Sequence, residues 1–325
     1  MEYKLLTYED TSMGTNIGDY IQSIAARQFL PHVDGFVNRE HLNEVSGDKF
    51  KLIMNGWYMH HPENFPPAES IIPLFVAFHI NSSHANKILK PETCSYLKKY
   101  EPIGCRDTYT KNILESKGIK AYLSGCLTLT LDCYKVDDRY RNNKILIVDP
   151  IFNLFSFREA FSNPKFTISY LKHGLFMNSF NRLCLINKII DKKLLFNASW
   201  RHHMILPNKI SEKKRFELAE KLIKEYARAR CVITSRIHCA LPCLALGTPV
   251  IFINSFNVND TSNISRLNGV TNLFNKIDLD VNKGIINSDI KLKDGKITEE
   301  SIIPNKNEYL KYIPNLKKQC IDFIK

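Results

Sequence analysis

The stretch from Arg230 to Ile253 constrains this chain more than any other, because its pattern changes period twice over a short span. Val232, Ile233 and Thr234 make a β-branched run, and Ala240 to Leu246 is apolar at helical spacing. Gly247 then stops the helix before Pro249 opens a second buried run to Ile253. The stretch therefore reads as strand, helix, strand. A cap at Thr234 or Ser235 is expected, and it turns free backbone N–H groups and a positive dipole toward Arg236 and His238. The result is an anion site with a fixed cation beside it and a titratable ring two residues on. Pro242 lacks the N–H that would bond the His238 carbonyl, so the first turn is expected to bend and let Arg236 and His238 converge. The plainer alternative is a cationic helix end beside a histidine satisfied inside the core.

With 325 residues, the chain is long enough for two domains with cores of their own. The formal charge of +12 predicts affinity for anions: phosphorylated substrates, acidic saccharides, nucleic acid or an anionic membrane face. The basic residues are scattered, as at Lys192-Lys193, Lys213-Lys214-Arg215 and Lys317-Lys318, and no zinc finger, RNP-type sequence or basic arm occurs. No nucleic-acid partner is therefore expected. Nine cysteines, an odd number without a C-x-x-C pair, fit reduced thiols in a cytoplasmic protein. Acidic residues appear too early after Met1 for a signal peptide, and the uncharged stretch Cys239 to Asn259 is broken by Gly247-Thr248-Pro249. The expectation is a cytoplasmic protein whose basic surface suits peripheral contact with the inner membrane face.

Along the chain, Lys4 to Tyr8 is a first strand, followed by a polar loop from Thr11 to Asp19 and a helix from about Tyr20. That loop lacks G-x-G-x-x-G, so no dinucleotide is indicated. Asp19 is either a helix cap or a site residue. Leu52 to Trp57 and Phe75 to Asn81 read as buried strands. They place Asn55, Trp57, His79 and Asn81 at strand ends, where such folds bind ligands. Arg106 and Asp107 again sit where a strand gives way to a helix. Asp107 or Thr108 caps it and leaves Arg106 free for an anion, unless the two form a surface pair. Lys135 to Lys144 reads as a linker. Phe152 to Trp200, rich in aromatics and cations, is either an ordinary helical layer or a surface for an acceptor or membrane. Ser211 to Arg230 is a strongly amphipathic helix, Asn254 to Leu267 is loop-like, and a last helix spans about Asn307 to Ile324 with Pro314 inside.

Taken in order, five segments resemble the polysaccharide pyruvyl transferases: Asn16-x-Gly18-Asp19, Gly104-Cys105-Arg106-Asp107, Ser124 to Thr130, Thr234-Ser235-Arg236-Ile237-His238-Cys239, and Leu246-Gly247-Thr248-Pro249. Phe152 to Trp200 and the C-terminal tail lie outside the resemblance. It implies an α/β, GT-B-like fold, with two Rossmann-type domains facing across a cleft. Residues 1–140 would form the acceptor-side domain, and 141–325 the domain carrying the R-x-H donor site, its last helix packing back on the first. The resemblance also implies transfer of the pyruvyl group of phosphoenolpyruvate to two hydroxyls of a sugar as a cyclic ketal, in cell-surface polysaccharide biosynthesis. The family's donor-binding arginine and acid histidine fall on Arg236 and His238, and a second arginine on Arg106.

The residues suit that chemistry on their own terms. Phosphoenolpyruvate carries a carboxylate and a phosphate, which call for two cationic clamps of the arginine type. A histidine is the natural proton donor to its C3 methylene. Ser235, Asn16, Asp19, Asn55 and Asp107 are the further substrate-binding candidates, with Asp19 or Asp107 as a base for the acceptor hydroxyl. No metal-ligand spacing occurs, so neither metal nor cofactor is expected beyond phosphoenolpyruvate as donor. The acceptor is a saccharide or lipid-linked saccharide. Two rivals are a GT-B glycosyltransferase using a nucleotide-sugar and a non-catalytic saccharide- or anion-binding protein. After Ile253, however, no carboxylate that could hold a ribose appears until Asp260.

Overall fold

The computed structural model describes residues 1–10, 14–58, 60–152, 154–161, 164–205, 210–255 and 265–325. Strand Glu2–Thr7 pairs in parallel with Gly35–Asn38 on one side and Phe50–Met54 on the other, and Phe50–Met54 pairs with Ile71–Phe75. The third strand is thus Ile71–Phe75, not Phe75 to Asn81 as the apolar run suggested. Pro73 obscures it in the sequence, yet proline is tolerated because this strand borders a break in the ladder. At that break Ala77 takes φ 54°. The chain then realigns, with Trp57 bridging His79 and Phe78 bridging Cys105. Through these bridges the parallel pair Ile103–Cys105 and Ala121–Leu123 continues the same layer, bringing the ends of several strands to one edge.

The second sheet has six strands, in the order Gly284–Ser288, Asn275–Asp280, Val250–Asn254, Cys231–Thr234, Ile145–Val148, Ala198–Arg201. All neighbours are parallel except the first pair. Their near-continuous Ile and Val content is what a sheet covered on both faces requires. Helix Ile237–Ala245 crosses between Cys231–Thr234 and Val250–Asn254, the connection expected from the sequence. Strand Asn275–Asp280, next to the edge strand, escaped that reading because its alternation is carried by only Ile277 and Leu279 between polar residues.

Helix Ile17–Arg27 begins three residues earlier than expected, because Asn16 caps it by accepting a hydrogen bond from Gly18 N at 3.0 Å. It packs on helix Glu212–Arg228 through Tyr20 and Phe216, whose ring centroids are 5.2 Å apart, and through an Arg27–Glu220 ion pair at 2.8 Å. The last α-helix is Ile313–Ile324, with Pro314 in its first turn; Glu308–Tyr312, expected to be part of it, is a 3-10 turn. It lies on the first sheet's side, where Lys51 Nζ donates to Phe323 O at 2.6 Å. One apolar core runs from Leu6, Ile21 and Leu52 through Tyr226 and Leu241 to Val232 and Phe252, joining both sheets. A second, with Ile147, Ile186, Ile233 and Ile277, covers the far face of the six-stranded sheet. Among the described residues no helix is long and apolar enough to cross a membrane.

Candidate active site

The helix after Cys231–Thr234 starts at Ile237, with Arg236 as its cap in extended backbone and without a side-chain cap. Neither expected cap serves. Thr234 Oγ1 accepts from Arg236 N at 3.0 Å, and Ser235 Oγ donates to Asp149 O at 2.6 Å. The first turn closes regularly, with Ala240 N donating to Arg236 O at 2.9 Å, so the bend expected from Pro242 does not form there. Arg236 escapes helical spacing relative to His238 because it stands outside the helix.

Asp149, at the end of strand Ile145–Val148 with φ 40°, organises this corner. Its carboxylate accepts from Arg236 Nε at 3.2 Å, His202 Nδ1 at 2.9 Å and His203 N at 3.0 Å. Burial alone would raise its pKa, but the His202 hydrogen bond and the Arg236 and His203 charges hold it well below the usual carboxylate range. His203 in turn fixes the first helix, because Ile17 N donates to its carbonyl at 2.8 Å. A Cβ at Gly18 would stand 2.6 Å from His203 Nδ1, so the glycine of Asn16-x-Gly18-Asp19 is needed for this approach.

His238 is buried, with Nδ1 3.8 Å from Asp19 Oδ1 and Nε2 without a hydrogen-bond partner among the described residues. Asp19 is not a cap. Its carboxylate sits in the first helical turn, accepting from Gln22 Nε2 at 3.1 Å with Arg39 Nη1 at 3.6 Å. Burial first, then the charges of Arg106 and Arg266, push the His238 pKa well below its ordinary value. The imidazole is therefore neutral at neutral pH.

Arg106 and Asp107 are buried rather than a surface pair. Asp107 caps helix Thr108–Ser116: Oδ1 accepts from Thr110 N and Thr110 Oγ1, both at 2.9 Å, and Oδ2 accepts from His79 Nδ1 at 2.6 Å. Arg106 is left 3.8 Å from Asp107, with Nε and Nη2 buried and without hydrogen-bond partners among the described residues. Arg266 Nε also has no hydrogen-bond partner among the described residues, and the Arg39 and Arg266 guanidinium groups each lie 5.7 Å from the Trp57 ring centroid. Burial first, and then Arg106, push the Arg266 pKa down to about 10, which leaves it charged at neutral pH. Buried donors without acceptors are rare in folded chains; several like-charged ones around one histidine make an anion receptor.

The structure thus brings Arg106, Asp107, Asp19 and His238 together with Arg266 and His79, and joins Arg236 to them through Asp149 and the shared helix end. Asn16 and Ser235 serve the backbone instead. Asn55 Nδ2 donates to Gln22 O at 2.8 Å, tying the strand end to the first helix. Arg266 and Asp149 were missed, the first because it follows a polar stretch and the second because Asp149-Pro150 reads as an ordinary strand stop. Residues 256–264, which include most of the loop expected after Ile253, lie outside the described residues. The groove lined by Leu5, Arg27, Phe36 and Phe216 shares no residue with this cluster.

Among solved structures, an uncharacterised protein of Klebsiella pneumoniae is similar at 13% identity over 80% of this chain and 87% of its own, with a TM-score of 0.37. No curated protein gave a match. The family model for polysaccharide pyruvyl transferase matches residues 16–255, which take in part of each sheet and every cluster residue above except Arg266, and the chain belongs to that family.

Proposed function

We propose that this protein transfers the pyruvyl group of phosphoenolpyruvate to two hydroxyls of a saccharide as a cyclic ketal, releasing phosphate, in cell-surface polysaccharide biosynthesis. The observation that carries this reading is the set of unpartnered guanidinium N–H groups, from Arg106 and Arg266, around the unpartnered Nε2 of His238. A donor with a carboxylate and a phosphate supplies the missing acceptors. Its negative charge also raises the His238 pKa toward the range where imidazolium protonates C3. Arg236, aligned by Asp149, adds a further cation at the helix end.

In this reading the two sheets are the cores of two Rossmann-type lobes in a GT-B-like arrangement, residues 1–140 on the acceptor side and 141–325 carrying the donor site. The protein works in the cytoplasm without a cofactor. Its acceptor is a saccharide or lipid-linked saccharide. The exposed apolar side chains Phe176, Met177, Phe180 and Leu183, one stripe of helix Phe176–Ile189, together with Lys172 and Lys188, support peripheral contact with an anionic membrane. The test is calorimetry with phosphoenolpyruvate and with a nucleotide-sugar, followed by a phosphate-release screen across saccharide acceptors. Binding of the nucleotide-sugar alone would replace this reading with glycosyl transfer.

A further inference from the structure

His79 and Asp107 form a buried pair that binding of the donor does not require. The Nδ1–Oδ2 distance is 2.6 Å and both side chains are fully buried. Asp107 has no room for a second task, because Oδ1 already accepts two bonds from Thr110. The carboxylate only accepts, so the shared hydrogen sits on His79 Nδ1, and the neutral ring keeps a lone pair on Nε2. That Nε2 is buried and without a hydrogen-bond partner among the described residues. The groups facing the ring are Arg106, Asp107, Arg266, His238, Thr110 and the Trp57 indole, whose centroid lies 6.4 Å away. Burial and then Arg106 push the His79 pKa down to about 4, so the lone pair is free at neutral pH.

We propose that His79 Nε2 is the base that takes the proton of the acceptor hydroxyl, with Asp107 as the residue that sets its tautomer and steadies the imidazolium that forms. This assignment rests on the pyruvyl-transfer reading and adds the missing proton acceptor to it. Imidazolium His238 gives its proton to C3, which becomes a methyl group, and the first hydroxyl oxygen bonds to C2 as its proton passes to His79. The C2–O bond to phosphate then breaks, phosphate leaving with the proton held by His79. The second hydroxyl oxygen bonds to C2 and its proton passes to the same Nε2. That proton returns through solvent to His238, so two hydroxyl protons end on the methyl group and on phosphate. Arg106 serves both halves: while unpaired it keeps His79 deprotonated, and once paired with the donor it no longer opposes protonation.

The test uses the full chain, an acceptor that supports phosphate release, and the variants His79→Gln and Asp107→Asn. Asparagine still caps helix Thr108–Ser116 but offers its amide N–H₂ to Nδ1, which reverses the tautomer. His79→Gln should bind phosphoenolpyruvate with unchanged affinity, and Asp107→Asn, which removes a carboxylate 3.8 Å from Arg106, should bind it no more weakly than wild type. His79→Gln should turn over about 10²-fold more slowly, and Asp107→Asn should lose at least about tenfold and move the acid limb of the rate–pH profile. Turnover of folded His79→Gln near the wild-type rate, or an unmoved pH profile in Asp107→Asn, overturns the base assignment and leaves pyruvyl transfer standing. Failure of the wild-type protein to bind phosphoenolpyruvate overturns the transfer reading, and the base with it.

Discussion

His238 Nδ1 lies 3.8 Å from Asp19 Oδ1, so the first turns of helices Ile17–Arg27 and Ile237–Ala245 meet at one imidazole and one carboxylate. The contact orients the ring while Nε2 stays unpartnered. His238→Gln, which keeps a hydrogen-bond donor but cannot deliver a proton, should fold and bind phosphoenolpyruvate while losing about 10²-fold in turnover. Phosphate release per folded molecule, with a melting curve on the same sample, decides this. A core histidine alone would give the opposite pattern, lower stability with normal specific activity.

Donor binding should also take up protons. Because His238 is neutral in the free protein and charged beside a phosphate, the apparent binding enthalpy near neutral pH should depend on the ionisation enthalpy of the buffer. Identical calorimetric enthalpies in phosphate and Tris would show that no group changes its protonation.

Stability should fall in mild acid. The folded-state pKa of His79 lies near 4, below the ordinary 6.5, so between these values the unfolded chain binds a proton that the folded chain refuses. The loss begins as pH drops below 6.5 and is complete near 4, on the order of 3 kcal/mol for this one group. His238 is depressed in the same direction and adds to the slope. Urea denaturation at several pH values should show a shallower acid slope in His79→Gln than in wild type.

Arg106→Lys keeps the charge but removes the fork whose Nε and Nη2 stand unpartnered. Affinity for phosphoenolpyruvate should weaken by about 1–3 kcal/mol. An unchanged dissociation constant by calorimetry would remove Arg106 from the donor site.

Turnover should persist in chelator, because fixed guanidinium groups and a helix end already face the donor's anionic charge. Activity lost on chelation and restored by magnesium or manganese would favour a nucleotide-sugar reaction. Separately, the protein should float with anionic vesicles and not with neutral ones, and Phe180→Glu should abolish flotation while leaving soluble-acceptor turnover unchanged.

The Arg230–Ile253 unit was legible because its strands are buried on both faces and its helix is short and apolar, so local pattern and tertiary role agree. The cap was misread because the Thr234 hydroxyl accepts from the N–H of Arg236, short of the helix, and the Ser235 hydroxyl donates to the Asp149 carbonyl. Arg106 and Asp107 were legible as a strand-to-helix junction. Their burial was not, because it depends on Ala77 turning the chain so that Phe78 meets Cys105. Arg266 illustrates the general limit: a single cation after a polar stretch carries no periodicity, and only the fold places it near Arg106.

The apolar core that passes from Leu6 and Leu52 to Val232 and Phe252 leaves no seam along which the chain could be divided. A fragment ending near the linker would expose Ile21 and its neighbours, and the complementary fragment would expose Leu241. The two sheets should therefore melt in one calorimetric transition and fail to fold when produced apart. Exchanging half of the chain with a relative would cut through this core, whereas changes to side chains at the sheet edges leave it whole.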